Sequence, residues 1–312
     1  MQALVAALGA EDHLAFEARR RSSAAAAAIA AAFFTFVGVV WRSLTLADLP
    51  RNGLLDSLGR LSDPGAIGVE QSLRIDSFTY YDDQATSVLA ASVLVAIGYV
   101  ALGLALTYLA AATRARRREF ASVFVYLPLV AGVLQALATV LSAYATNSAI
   151  SDFLDGKRTV DDASDVATSG LAVFASLLGL PGALGLAFAL VFVALNAMRV
   201  GLLTRFMGVL GMITGALQIL PFGGPLPVVQ CFWLILLGLL FLGRYPGGAP
   251  PAWRTGKAEP WPTQAQVREQ RARAAAEARG EEFEAPEPVA AGPERGRANP
   301  NPNARRRKRK RR

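Results

Sequence analysis

Residues 88–112 read VLAASVLVAIGYVALGLALTYLAAA, and the chain then turns abruptly to TRARRRE. At about 1.5 Å per residue this uncharged run makes a helix of roughly 37 Å, enough to cross a hydrocarbon core about 30 Å thick. The arrival of Arg114, Arg116, Arg117 and Arg118 marks where it meets water. Working outward, the same pattern recurs at 24–41, 121–145, 171–198, 206–222 and 226–242. These runs predict an all-α fold, a polytopic membrane bundle of six transmembrane helices.

The charge distribution supports that reading. The chain is 53% hydrophobic and 18% charged, against roughly 25% charged in an ordinary soluble domain. None of its Lys, Arg, Asp or Glu residues falls inside the six runs, where a central charge costs several kcal/mol. Lys and Arg gather at Arg19–Arg21, at Arg114–Arg118, and at Arg199 and Arg205. The alternate loops, 42–87 and 146–170, hold six basic residues against twelve acids. The positive-inside tendency therefore predicts a multi-pass membrane protein with both termini cytoplasmic. A cleaved signal peptide is the competing reading of 24–41. The run is longer than a signal core, and Trp41-Arg42 stands where small residues should precede a cleavage site.

Three parts follow: a cytoplasmic amphipathic helix over 1–23, the six-helix membrane domain over 24–243, and a tail over 244–312. Residues 1–243 carry 15 basic and 16 acidic residues while 244–312 carry 17 and 8, so the net +8 of the chain belongs to the tail. Ten of the 17 prolines also lie there, a composition that predicts a cytoplasmic, Pro-rich, basic and largely disordered segment. The last two runs are short and joined by Pro-Phe-Gly-Gly-Pro at 221–225. They are read as a hairpin that crosses the membrane, with a re-entrant pair as the alternative. In the first outer loop Leu44, Leu46, Leu49, Leu54, Leu55, Leu58 and Leu61 suggest a short amphipathic helix, and Tyr80 and Tyr81 suggest interfacial anchors. The acidic second loop, with Asp152, Asp155, Asp161, Asp162 and Asp165, lacks EF-hand spacing and reads as solvated.

Few residues offer chemistry. One cysteine and one histidine are too few for a disulfide framework, a Cys/His zinc site or a histidine pair, and His13 reads as solvated. Cys231 has no activating charge nearby in sequence and reads as an apolar filler. No catalytic, cofactor-binding or metal-ligating constellation is found. The candidates are therefore of other kinds. Gly208, Gly211 and Gly215 present a small-residue face suited to helix packing, within the chain or in a homodimer. Pro181, among Gly179, Gly182 and Gly185, should bend its helix and free a carbonyl. Gln135, Asn196, Gln218 and Gln230 are polar groups within the runs, either interhelical hydrogen-bonding residues or parts of a pathway. Finally Arg305, Arg306, Arg307, Lys308, Arg309, Lys310, Arg311 and Arg312 form an unbroken cationic terminus. It suits anionic headgroups of membrane lipids at about 1 kcal/mol per cation, and without interleaved aromatics it gives little support to nucleic acid as a partner.

At Tyr80-Tyr81-Asp82-Asp83-Gln84-Ala85-Thr86, Ala112-Thr113-Arg114-Ala115-Arg116-Arg117 and Arg199-Val200-Gly201-Leu202-Leu203-Thr204-Arg205-Phe206-Met207-Gly208 the chain resembles a group of uncharacterised multi-pass integral membrane proteins of actinobacteria. The resemblance implies a bacterial inner-membrane location and carries no activity. The expected function is that of an interaction or scaffold protein with a lipid- or partner-binding basic tail. The alternative is a transporter or channel for a neutral or apolar small molecule. An intramembrane enzyme is the least supported class.

Overall fold

The computed structural model describes residues 10–50, 72–219, 227–246 and 248–260. Among them the chain is all-helical. The helices are α1 (Ala10–Thr45), α2 (Ile75–Asp83), α3 (Ala85–Arg116), α4 (Val123–Asp155), α5 (Val160–Thr168), α6 (Gly170–Arg199), α7 (Arg205–Ile219), α8 (Val228–Phe241) and α9 (Ala252–Thr255). Four of them, α1, α3, α4 and α6, are long and apolar enough to cross a membrane. The two expected spans nearest the tail form shorter apolar helices of 15 and 14 residues, about 22 and 21 Å long.

Neighbouring helices pack in the order α1, α3, α4, α6, α7, and α8 then lies against both α7 and α1, with α3 and α6 also touching. The buried seams are rich in small residues: Ala25, Ala28 and Ala31 on α1, Ala101 and Ala105 on α3, and Ala189, Ala194 and Ala197 on α6. Large apolar side chains such as Phe33, Leu104, Leu137, Phe174, Leu177, Phe188 and Phe232 point outward. This arrangement suits a lipid surround, where association depends on close backbone approach and the outer surface has no reason to be polar. One close approach joins α3 and α4. A Cβ on Gly103 would stand 2.8 Å from the Pro128 carbonyl oxygen, and one on Gly132 would stand 2.7 Å from that of Tyr99.

Several local expectations change. Residues 10–23 and the first apolar run form one continuous helix of 36 residues, because the alanines on either side of Arg19–Arg21 favour helix throughout. The loop expected over 146–170 is mostly helical: α4 runs on to Asp155 and α5 begins at Val160. The start of α5 is fixed by a capping box in which Thr159 and Asp162 each accept the other's backbone N–H. The Thr159 backbone N–H, and after it the Thr159 side chain, hold the Asp162 carboxyl below its ordinary value. Tyr81 is buried with Val88 and Ile150, with Leu46, Leu49 and Phe78 packed around them, so it serves as core where an interfacial anchor was expected. Burial raises its phenol pKa, while the nearby Arg42 charge acts in the opposite sense. Tyr80 donates to the Thr45 carbonyl at 3.1 Å. Most of the expected amphipathic helix of the first loop and the 221–225 turn lie outside the described residues.

Candidate functional site at the basic end of the bundle

The basic flanks that are far apart in sequence meet at one end of the bundle. Glu17 of α1 and Arg116 at the end of α3 form a two-point ion pair, with Nη1–Oε1 at 2.5 Å and Nη2–Oε2 at 2.9 Å. Their side chains are only 8% and 1% exposed, so each charge depends on the other. Arg116 also donates to the carbonyls of Ala112 and Ala252, both at 2.9 Å. The Tyr108 hydroxyl donates to the Glu17 carbonyl at 3.1 Å. Arg21, one turn beyond Glu17, donates to the carbonyls of Leu240 and Phe241 at the end of α8, where orphan carbonyls and the helix dipole both favour a cation.

Trp253 of α9 closes this cluster. Its ring lies 5.6 Å from the Arg21 guanidinium and 5.5 Å from that of Arg116, stacks on Tyr108, and meets Phe241 edge to face. Its indole N–H donates to the Leu202 carbonyl at 2.8 Å. One side chain thus touches α1, α3, α8 and the link between α6 and α7. Farther along, the Glu259 N–H donates to the Val200 carbonyl at 3.1 Å. There Gly201 has φ +80°, and an added Cβ would collide with the Glu259 carbonyl, so the chain from Pro250 to Glu259 is seated on the bundle. The expectation that the tail loosens from residue 244 is corrected for this stretch. Composition pointed the other way because its Pro and Gly residues shape a docked turn, with Gly256 as the left-handed cap of α9.

Around this neutralised cluster the surface is cationic. Arg19, Arg118, Arg199, Arg244, Arg254 and Lys257 are exposed, and none has an ion-pair partner among the described residues. Such a face can receive phosphate or carboxylate groups. The acidic residues Asp152 and Asp155 end α4 away from its basic flank, and Asp82, Asp83, Asp161 and Asp165 lie on the short helices α2 and α5 that pack against α4.

The candidates from sequence are dispersed. Asn196 belongs to the basic end, where it accepts from Arg117 at 3.0 Å and donates to the Phe192 carbonyl. Gln135 lies at the crossing of α4 and α6, against Gly182. Gln218 ends α7 and Gln230 begins α8. Pro181 lies within an uninterrupted α6. The face of Gly208, Gly211 and Gly215 is occupied inside the chain: added Cβ atoms would meet Met198, Ala194 and Trp233, and Val191 and Ala187, respectively. The Cys231 thiol is buried and faces the Ala32 carbonyl at 3.5 Å. Arg305–Arg312 lie outside the described residues. Sequence reasoning missed Glu17 and Trp253; the one local signal was a tryptophan in an otherwise Pro/Gly-rich stretch. Comparison with known protein families, curated proteins and solved structures finds no match.

Proposed function

We propose that this chain is a membrane-embedded interaction or scaffold protein that works through its basic end. The observation that carries this reading is the seating of Pro250–Glu259 by Trp253, which sets the root of a strongly basic tail beside an already cationic face. In this reading α7 and α8 cross as a hairpin, giving six spans in a bacterial inner membrane with both termini cytoplasmic. The sequence resemblance to uncharacterised actinobacterial membrane proteins agrees with that location. The exposed cations and the terminal RRRKRKRR would then face anionic lipid headgroups or an acidic partner, at about 1 kcal/mol per cation near the surface. Passage of a neutral solute draws less support, because Gln135, Asn196, Gln218 and Gln230 occupy separate positions.

The test is affinity capture from detergent-solubilised membranes by the full chain and by a chain ending at Glu259, which keeps the Trp253 contacts. The expected result is a partner set bound by the full chain, lost on truncation, and released as salt rises from about 0.1 to 1 M, where the Debye length falls from roughly 10 to 3 Å. The same partners held by the truncated chain, or none held by either, would overturn the reading.

A further inference from the structure

A groove of about 420 Å³ opens between α1, α3 and α4, lined by Val39, Arg42, Ser43, Leu46, Ser92, Val95, Tyr99 and Thr139. Val39 to Leu46 and Ser92 to Tyr99 each advance seven residues, so it runs about 10 Å along the bundle. Gly38 lies beside Val95, and Gly98 beside Thr35. This antiparallel register sets Arg42 toward the acidic-loop end and Tyr99 roughly two turns deeper.

The polar groups of the groove fall into two sets. The Ser92 and Thr139 hydroxyls are used within their own helices, donating to Val88 and Gln135 carbonyls. The Arg42 guanidinium and the Ser43 and Tyr99 hydroxyls have no hydrogen-bond or ion-pair partner among the described residues. Tyr99 is half-buried within a helix long enough to cross a membrane, a setting in which an unmade hydrogen bond is costly. A cation and a hydroxyl at the mouth, an apolar wall of Val39, Leu46 and Val95, and one deep donor together describe an amphiphile. Its anionic phosphate belongs at Arg42 and Ser43, its carbonyl at Tyr99, and its chains along the wall.

We propose that this groove binds one anionic glycerophospholipid, head toward the acidic-loop end, through Arg42, Ser43 and Tyr99. The inference rests on the chain being membrane-embedded, and a free phosphate ion is the other source of the same headgroup chemistry. A phosphatidylglycerol carrying a photoactivatable acyl chain, reconstituted with the full-length protein and mapped by peptide, tests it. Labelling is expected to concentrate on 39–46 and 92–99. It should fall at least several-fold there in Arg42→Gln and Tyr99→Phe, persist in Arg42→Lys, and resist millimolar inorganic phosphate. Matching helical circular dichroism of each variant shows that it is folded. Labelling spread evenly over the outward apolar faces, or unchanged by Arg42→Gln, would overturn the groove while leaving the membrane reading intact. Full competition by inorganic phosphate would overturn the lipid assignment, and absence of all labelling in the bilayer would count against the membrane reading itself.

Discussion

Glu17→Ala is the substitution that bears most on the basic end. It removes a carboxylate whose only strong role is to neutralise Arg116, a side chain 1% exposed. Removing one partner of a buried pair costs about 3–5 kcal/mol, mainly because the other charge stays buried and uncompensated. Arg116 would retain the Ala112 and Ala252 carbonyls and the Trp253 ring, so the expected loss is at the low end, about 3 kcal/mol. Glu17→Gln keeps the shape and one acceptor and should cost about 1–2 kcal/mol. The double variant Glu17→Leu/Arg116→Met removes both charges and should cost less than Glu17→Ala alone, since apolar replacement of a buried pair is often neutral. Glu119→Ala is the control: its pairing with Arg117, at 3.3 Å, is exposed, and the change should stay below about 1 kcal/mol. Reversible unfolding of the detergent-purified protein by dodecyl sulfate, followed by circular dichroism, gives these differences. A loss below about 1 kcal/mol for Glu17→Ala, or a double variant as costly as the sum of its singles, would refute the reasoning.

Trp253→Ala should cost about 3–5 kcal/mol, as large aromatic deletions do, and should also expose the link after Tyr245 to protease in the otherwise folded protein; limited proteolysis reads this directly. Gly215→Val should destabilise by about 1–3 kcal/mol through overpacking, because its Cβ would stand 2.9 Å from the Ala187 carbonyl oxygen. Light scattering should meanwhile show an unchanged oligomeric mass. The Asp162 carboxyl is held below its ordinary value by Thr159, so its contribution to the start of α5 is present above about pH 3.9, the unfolded value, and is lost as pH falls through the lower folded value. Amide-exchange protection at Asp162–Asp165 should follow that sign in the parent and lose it in Asp162→Asn.

The four long helices were legible because a bilayer imposes a length and forbids charge, and both constraints act on contiguous sequence. The short helices α2 and α5 were not, since their residues are mixed in polarity and α5 is set by a cap of two side chains. Arg116 could be read only as a topology marker, because its partner Glu17 lies 99 residues away and their meeting is a property of the packed bundle. Trp253 was hidden by the composition of its neighbours. The small-residue face of α7 left dimer and internal packing both open in sequence, and in the folded chain Ala194 and Trp233 pack against it. The groove holding Arg42 and Tyr99 is assembled from three helices, so no single stretch of sequence contains it.

Sidedness tests the central claim most directly. With Cys231→Ala as background, single cysteines at Arg118, Lys257, Asp161 and Gly223 can be labelled in sealed membrane vesicles with a reagent that does not cross the bilayer. The expected result is that positions 118 and 257 react from one side and positions 161 and 223 from the other, as a six-span bundle with its basic end on a single face requires. Reaction of position 257 from the same side as position 161, or of all four positions from both sides, would contradict it. Failure of position 223 to react from the side of position 161 would show that α7 and α8 do not cross.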